Sequence, residues 1–258
     1  MPKPKPTTSS SSPMPGSAGA GAPAMAFTSP FAGLTGVTRQ SLNQQVYESL
    51  HQALASGYFA PGQRVPLRAV ASALGTSTMP VREAVNRLVA IGALELLENR
   101  RVRVPLVGSE HYRDLIAARS LIESSAAEAA APLMTDAMLE ALARTHGEMC
   151  AISALPHTEE NVRAYLARNQ AFHFLIYRAV GSHTLVSVIQ SMWIRAGPFF
   201  HILHKQSSNW RGNENHARIL AAMQRRDPAE ARAAVHADIV GAADHIVGDI
   251  MFQAIDDS

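Results

Sequence analysis

The amino-acid sequence predicts a mainly α-helical protein, in which a small N-terminal folded part precedes a larger, all-helical C-terminal part. Apolar residues recur at spacings of three and four along most of the chain from residue 41, as they do on the buried face of a helix. Alanine, which favours helix because its side chain loses no entropy on folding, is abundant in the same region. Only residues 94–97 and 102–104 have the pattern of short strands, so β-structure is a minor component.

The first 38 residues differ in composition from the rest of the chain. They are rich in Pro, Ser, Gly, Ala and Thr, and such a segment buries too little apolar surface to offset the entropy cost of ordering it. We predict that residues 1–38 form a disordered tail, and we assign it no function.

Residues 39–105 have the element order of a winged helix-turn-helix domain. Leu42, Val46, Leu50 and Leu54 form the apolar face of a first helix. We predict the later elements as helices at 67–74 and 79–91 and strands at 94–97 and 102–104. In this fold the third helix enters the major groove of DNA, which is about 12 Å wide. The sequence therefore predicts a DNA-binding domain.

Residues 109–252 are predicted to form an all-helical domain, separated from the first by a linker at Pro105 and Gly108. Asp227 followed by Pro228 is a strong helix start, because Asp caps free N–H groups and Pro suits the first turn. The six predicted helices span residues 110–132, 136–154, 159–180, 183–205, 213–226 and 228–251.

Charge is distributed unevenly along the 258 residues, although the net charge is only +2. Residues 41–105 contain seven Arg and four Glu, whereas residues 106–258 contain thirteen basic and seventeen acidic side chains. This asymmetry indicates that only the small domain meets phosphate.

The chain has a single cysteine, Cys150, which fits a reducing compartment. No apolar run approaches the ~20 residues of a membrane span, and no apolar leader segment follows Lys3 and Lys5. We therefore expect a cytoplasmic protein without a membrane partner.

The predicted third helix begins with side chains suited to DNA. Ser77, Thr78 and Arg82 place hydroxyl and guanidinium donors at a helix N-terminus, where the free amides also favour phosphate. Arg68 begins the second helix and can reach the DNA backbone. The wing carries Arg100, Arg101 and Arg103, which either approach the minor groove or are simply solvated.

Three segments of this domain resemble the GntR family of bacterial regulators. They are Pro61-Gly62-Gln63-Arg64, then Arg68 to Gly75, then Ser77 to Leu88, in which Pro80-Val81-Arg82-Glu83-Ala84 matches the family motif outright. The resemblance implies DNA contacts at the positions of Arg68, Thr78 and Arg82. With the neighbouring donors and the wing, the predicted DNA-binding residues are Arg68, Ser77, Thr78, Pro80, Arg82, Arg100 and Arg101. Thr78 stands where the family has Arg, so it lacks the charge and the bidentate fork, and this departure could alter affinity or sequence preference.

The C-terminal domain resembles the all-helical effector domain (FCD-like) of the FadR-type branch of that family, through Arg119-Ser-Leu-Ile-Glu123, Asn169-Gln-Ala-Phe-His173 and His216. The resemblance implies a divalent metal, Zn²⁺, Ni²⁺ or Mn²⁺, on His173, His216, Asp238 and Asn169. Here Asn169 replaces an Asp and Asp238 replaces a His. His236 is two residues before Asp238 and points nearly oppositely on a helix, so Asp238 is preferred. The alternative is a metal-free polar pocket.

The same resemblance implies a small-molecule effector, which we expect to be an organic acid. Arg119, Asn169 and Arg195 are the predicted effector contacts. His201 and His204 either line this pocket or lie at a surface or interface, and Trp193, Phe199 and Phe200 are expected in the core or the pocket wall.

The sequence therefore predicts a homodimeric, sequence-specific transcription regulator, a repressor, that binds a palindromic double-stranded DNA operator and is not an enzyme. Two alternatives remain: a metal-dependent enzyme that uses the His cluster to activate water, and an architectural DNA binder without a ligand response. Neither a nucleophile–base motif nor a glycine-rich phosphate loop is present to favour the enzyme.

Overall fold

A computed structural model describes residues 42–206 and 212–249, and it confirms the mainly helical fold. The predicted tail 1–38 and both outer domain boundaries, 39 and 252, lie outside these residues. The helices of the described residues are α1 (Leu42–Ala55), α2 (Leu67–Ala73), α3 (Thr78–Ala90), α4 (Ser109–Ala130), α5 (Asp136–Ser153), α6 (Glu159–Ala179), α7 (His183–Gln206), α8 (Gly212–Gln224) and α9 (Pro228–Asp249). Strands β1 (Glu95–Leu96) and β2 (Val102–Arg103) form the wing, and a short 3₁₀ helix, Ala131–Leu133, follows α4.

The small domain has its own apolar core, built from one face of each element. Leu50 and Leu54 of α1 pack with Val81 and Leu88 of α3 in this core. The two strands pair antiparallel, with Leu96 opposite Val102. The helices thus bury the faces that their apolar spacing predicted, and the opposite face of α3 is left in solvent.

The wing turns through a residue with left-handed backbone conformation. Arg100 has φ of 59°, and its N–H donates to the carbonyl of Leu97 at 2.8 Å. The side chain of Asn99 accepts from the N–H of Arg101 at 3.1 Å, which closes the turn further. These bonds hold the two basic side chains at the tip of the wing.

The larger domain is a bundle of α4 to α9, in which α4 packs along α9, α5 along α6 and α8 along α9. Side chains cap its helix starts: Asp227 accepts from the N–H of Glu230 at 3.1 Å, as predicted, and Thr135 accepts from the N–H of Met138 at 3.3 Å. Among the described helices, we find none that is both long and apolar enough to cross a bilayer.

Helix α7 joins the two cores. Ile194 belongs to α7 but is completely buried in the apolar core of the small domain. A Cβ atom added to Gly197 would lie 2.1 Å from the carbonyl oxygen of Leu54. The backbones of α7 and α1 are therefore too close at this point for any residue with a side chain. The sequence did not predict this crossing.

Candidate functional site

The exposed face of α3 is the first candidate site. The helix starts at Thr78 after Ser77, which has extended backbone and makes no side-chain capping bond. Thr78, Met79 and Arg82 are exposed in the first turns, while the opposite face packs into the core. The free N–H groups of this first turn therefore face solvent together with hydroxyl and guanidinium donors.

The arginines of the small domain fall into two groups. Arg87 stacks on the ring of Tyr47, 3.7 Å from its centroid, and donates to Gln44 at 3.0 Å. Arg103 pairs with Glu95 across the wing. The five others have no acidic partner within ion-pair distance in the part of the chain that is described: Arg64, Arg68, Arg82, Arg100 and Arg101. These five are free to meet an external anion.

Pro80 is misplaced by the motif-based prediction of a DNA contact. It lies on the buried face of α3 with Val81 and Ala84. Its ring fixes the backbone of the first helical turn and fills the core, so its side chain is not presented to DNA.

Arg64 is a candidate that sequence reasoning missed. With Arg100 and Arg101 it borders a cavity of about 340 Å³ between the start of α2 and the wing. An isolated bridge between Arg64 and Arg103 brings these segments together, although they are far apart in sequence. The sequence shows a basic residue in the turn before α2. It becomes a candidate DNA contact only when the fold places it beside the wing arginines.

The second candidate site is buried in the bundle and combines His173 of α6, His216 of α8 and Asp238 of α9. The Nε2 atoms of the two histidines are 3.2 Å apart, and Asp238 Oδ2 lies 3.3 Å from His173 Nε2. All three side chains are buried, and their ligand atoms lie within 4.8 Å of one another. The structure thus brings together three of the four predicted metal ligands.

These residues fit a divalent cation. Two ligands about 2.0–2.1 Å from a tetrahedral Zn²⁺ would be about 3.3 Å apart, close to the observed spacings. Asp238 Oδ1 is buried without a hydrogen-bond partner in the described residues, as an atom reserved for a ligand would be. The adjoining cavity measures about 30 Å³, enough for an ion or a water, and Asn169 lines it.

A hydrogen-bond chain fixes which nitrogen of His173 carries its proton. Burial, followed by the nearby Glu123 charge, raises the pKa of Tyr177 well above its ordinary value, so its hydroxyl keeps its proton. That hydroxyl donates to Glu123 Oε2 at 2.8 Å. Its oxygen, 3.3 Å from His173 Nδ1, is then left to accept from an Nδ1–H. In the neutral His173 ring, the Nε2 lone pair then faces His216 and Asp238, as metal ligation requires. In the protonated ring, Nε2–H donates to Asp238 Oδ2 instead.

The charge state of Asp238 follows from competing effects. Burial alone would raise its pKa, but the charge interaction with His216 and the hydrogen bond and charge of His173 outweigh burial and hold the pKa below its ordinary value. Asp238 is therefore a carboxylate, the form that binds cations.

A buried ion pair borders the same cavity. Arg119 Nε donates to Glu123 Oε1 at 2.7 Å, and the Trp193 indole N–H donates to Glu123 Oε2 at 2.8 Å. The guanidinium also lies 4.9 Å from the centre of the Trp193 ring. Arg119 thus lines the cavity with its charge already matched by Glu123, whose carboxylate also accepts from Tyr177.

Arg195 does not lie in this site, contrary to the predicted effector contact. It lines a separate cavity of about 60 Å³ with His111 and Phe199, beside Val104 of the wing segment. Arg195 comes two residues after Trp193, and residues at that spacing point to nearly opposite sides of a helix. Since Trp193 faces the buried site, Arg195 faces away from it.

The remaining predicted residues are placed as follows. His236 is exposed and its Nδ1 lies 2.6 Å from Ser120 Oγ, on the other side of α9 from Asp238. Phe200 lines the buried cavity with Trp193, and Phe199 packs on Tyr112 at 4.5 Å between ring centres. The side chains of His201 and His204 lie outside the described residues.

A winged helix-turn-helix with a free basic face, joined to a helical bundle with a buried polar site, defines the class of DNA-binding transcription regulators that bind small effectors. Residues 42–104 match the family model "Bacterial regulatory proteins, gntR family", and residues 114–240 match the FCD domain model. The chain belongs to the GntR family, in the branch that carries an FCD domain.

Similar proteins include three transcription regulators of Escherichia coli (strain K12). The HTH-type transcriptional regulator McbR is 29% identical over 192 residues, 72% of this chain and 84% of McbR. The Glc operon transcriptional activator is 28% identical over 217 residues, 76% and 85% of the two chains. The HTH-type transcriptional repressor GlaR is 24% identical over 191 residues, 72% and 86%. The enzyme alternative finds no support in these relatives.

Solved structures have the same fold. That of E. coli McbR/YncC superposes with a TM-score of 0.72 at 25% identity, covering 84% of this chain and all (100%) of that one. A putative GntR transcriptional regulator from Rhodococcus sp. RHA1 gives a TM-score of 0.67 at 22% identity, with 81% and 99% covered. At 22% identity, the likeness to the Rhodococcus protein shows a shared fold and nothing further.

Proposed function

We propose that this chain is a cytoplasmic, homodimeric repressor that reads a palindromic DNA operator and changes its DNA affinity when a small organic acid binds in the buried polar site. The observation that carries the proposal is the exposed first turn of α3, where Arg82 has no acidic partner among the described residues. The direction of regulation is part of the proposal, since the relatives include a named activator and a named repressor.

DNA reading follows from the chemistry of this face. Arg82 can donate two parallel hydrogen bonds to the edge of a guanine or to a phosphate. Thr78, Ser77 and the free amides of the first turn add donors that match phosphate oxygens. Arg68 and the wing residues Arg100 and Arg101 supply charge on either side of α3, which fixes the position of the domain on the duplex.

The buried site would hold a divalent cation, Zn²⁺, Ni²⁺ or Mn²⁺, through His173, His216, Asp238 and Asn169. When bound, the cation supplies a positive centre to which carboxylate oxygens bind. Arg119 lies beside it and can donate a charged fork to the same acid. In the metal-free alternative, the two histidines and Arg119 bind the acid by hydrogen bonds alone.

Ligand entry would require rearrangement, because the cavity of about 30 Å³ is far smaller than the ~300–1,000 Å³ of ordinary ligand pockets. An incoming carboxylate would compete with Glu123 for Arg119. Trp193 of α7 donates to the same Glu123. A shift of Glu123 away from Arg119 would therefore also move α7. The next residue, Ile194, is buried in the DNA-binding domain, so displacement of α7 changes the support of α1.

The DNA-reading proposal is tested by selecting duplexes from a random pool with the full chain and measuring affinity for the selected duplex by fluorescence anisotropy. Arg82→Ala is expected to lose about 1–3 kcal/mol of binding free energy. Arg144→Ala is the matched control and should bind as wild type does, because Arg144 is an exposed arginine on α5 that pairs with Glu140. Equal affinities of wild type and Arg82→Ala would reject α3 as the reading helix.

A further inference from the structure

Met79 is an apolar side chain in an otherwise polar, exposed helix face. It lies in the first turn of α3 and is 65% exposed, the highest value among the exposed large hydrophobic residues of the described chain. The other exposed residues in the first two turns are Thr78, Arg82 and Glu83. Folding gives no reason for a methionine here, since the side chain is not part of the domain core.

Helical geometry places Met79 at the centre of the exposed face. With about 100° between successive residues, Met79 and Asn86, seven apart, share one stripe, and Arg82 lies beside it. This stripe points away from the buried stripe of Val81 and Leu88. Met79 is therefore the side chain that a groove floor would meet first if Arg82 reads a base.

Single exposed hydrophobic residues are common and need no explanation by themselves. Met79 differs from such residues in both its position and its chemistry. The C5-methyl group of thymine is the apolar group on the base edges of the major groove. A methionine has three rotatable bonds and a polarisable sulfur, so it can fit such a methyl group without a fixed geometry.

We propose that Met79 contacts the thymine C5-methyl group in each operator half-site and thereby selects thymine at that position. This inference rests on the proposed function, because it requires α3 to lie in the major groove. It also assigns a cause to sequence preference at a helix start where Thr78 supplies neither charge nor a fork. Arg82 and Met79 then read adjacent bases by different means, one by hydrogen bonds and one by apolar contact.

The experiment removes one methyl group at a time. In the duplex selected by the wild-type chain, each thymine is replaced singly by deoxyuridine, which lacks only the C5-methyl group. We expect one thymine per half-site at which this replacement weakens wild-type binding about three- to fivefold, as burial of one methyl group predicts. In Met79→Ala the same replacement should have no effect, and in Met79→Leu it should again weaken binding.

Met138→Ala is the matched control, because Met138 is an exposed methionine on α5, outside the DNA-binding domain. It should keep the wild-type response to deoxyuridine. Selective binding without any thymine whose effect depends on residue 79 would overturn this inference and leave the proposed function intact. Failure of the wild-type chain to select any duplex would reject both.

Discussion

Glu123 is the residue on which the polar interior of the effector domain depends. Its carboxylate is completely buried and accepts hydrogen bonds from Arg119, Tyr177 and Trp193. Burying an ion pair gives little net stability, but removing one partner leaves an uncompensated charge in the interior. The effect of Glu123 on stability is therefore large only when Glu123 is removed and Arg119 remains.

Glu123→Gln preserves the shape of the side chain and removes its charge. We expect a loss of about 3–5 kcal/mol in the free energy of unfolding, measured by urea denaturation, because Arg119 stays charged and unpaired. Adding Arg119→Met should restore most of that loss. Glu159→Gln breaks an exposed pair with Arg163 at the same spacing on a helix, and should cost about 0.3–0.5 kcal/mol. Similar costs for the two Glu→Gln variants would contradict the assignment.

Asp238 and His236 offer a matched pair for testing metal binding. In a thermal-unfolding assay of the full chain, Zn²⁺, Ni²⁺ or Mn²⁺ should raise the melting temperature of the wild type and of His236→Ala. Asp238→Ala should lose this response, because it removes the carboxylate that faces both histidines. Stabilisation of Asp238→Ala equal to that of wild type would contradict the ligand set, and no stabilisation of wild type would favour the metal-free pocket.

Among the single elements, helix α7 contacts both the buried polar site and the core of the small domain. Trp193 faces the buried site, Ile194 enters the other core and Gly197 lies against the α1 backbone. Pro198 follows directly and has no N–H, so the helix lacks one hydrogen bond at this crossing. The crossing is therefore the place where a small change in α7 would be passed to α1.

Gly197→Ala should force α7 and α1 apart, because the added methyl group would overlap the Leu54 carbonyl. We expect a loss of about 1–3 kcal/mol in unfolding free energy and faster hydrogen exchange in α1. Gly147→Ala, in an open position on α5, should instead stabilise by about 0.4–1 kcal/mol. If both alanines had the same effect, the close crossing would be wrong.

Element order and helix limits could be predicted because their causes are local. Asp227 caps α9, Thr135 caps α5, and Arg100 turns the wing, each through neighbouring residues. The burial of Ile194 could not be predicted, since an apolar pattern identifies a buried face without naming what covers it. The join between the two cores was missed for that reason.

The site residues divide in the same way. His173, His216 and Asp238 were found through resemblance to a family, because they lie on three different helices and share no local pattern. The predicted effector contact at Arg195 is wrong because residues two apart on a helix point to nearly opposite sides, and Trp193 is the one that faces the buried site. Pro80 was misplaced because a family motif includes residues that shape the helix as well as residues that touch DNA.

In the whole molecule, helix α7 connects the closed, charged interior of the bundle to the domain that carries the exposed face of α3. A ligand can shift DNA affinity only by its preference for one arrangement of that helix over the other. Coupling of about 1–3 kcal/mol, a change in affinity of about 5- to 150-fold, is the range that such connections usually reach.

A single titration shows whether filling the buried site changes DNA binding. Two- to six-carbon mono- and dicarboxylates are added to the wild-type chain bound to its selected, fluorescently labelled duplex, and anisotropy is followed alongside the melting temperature of the free protein. We expect that an acid that raises the melting temperature also changes DNA affinity by about 5- to 150-fold. In Asp238→Ala, the same acid should change neither the melting temperature nor the DNA affinity. An acid that stabilises the wild-type protein yet leaves its DNA affinity unchanged would contradict coupling between the buried site and DNA.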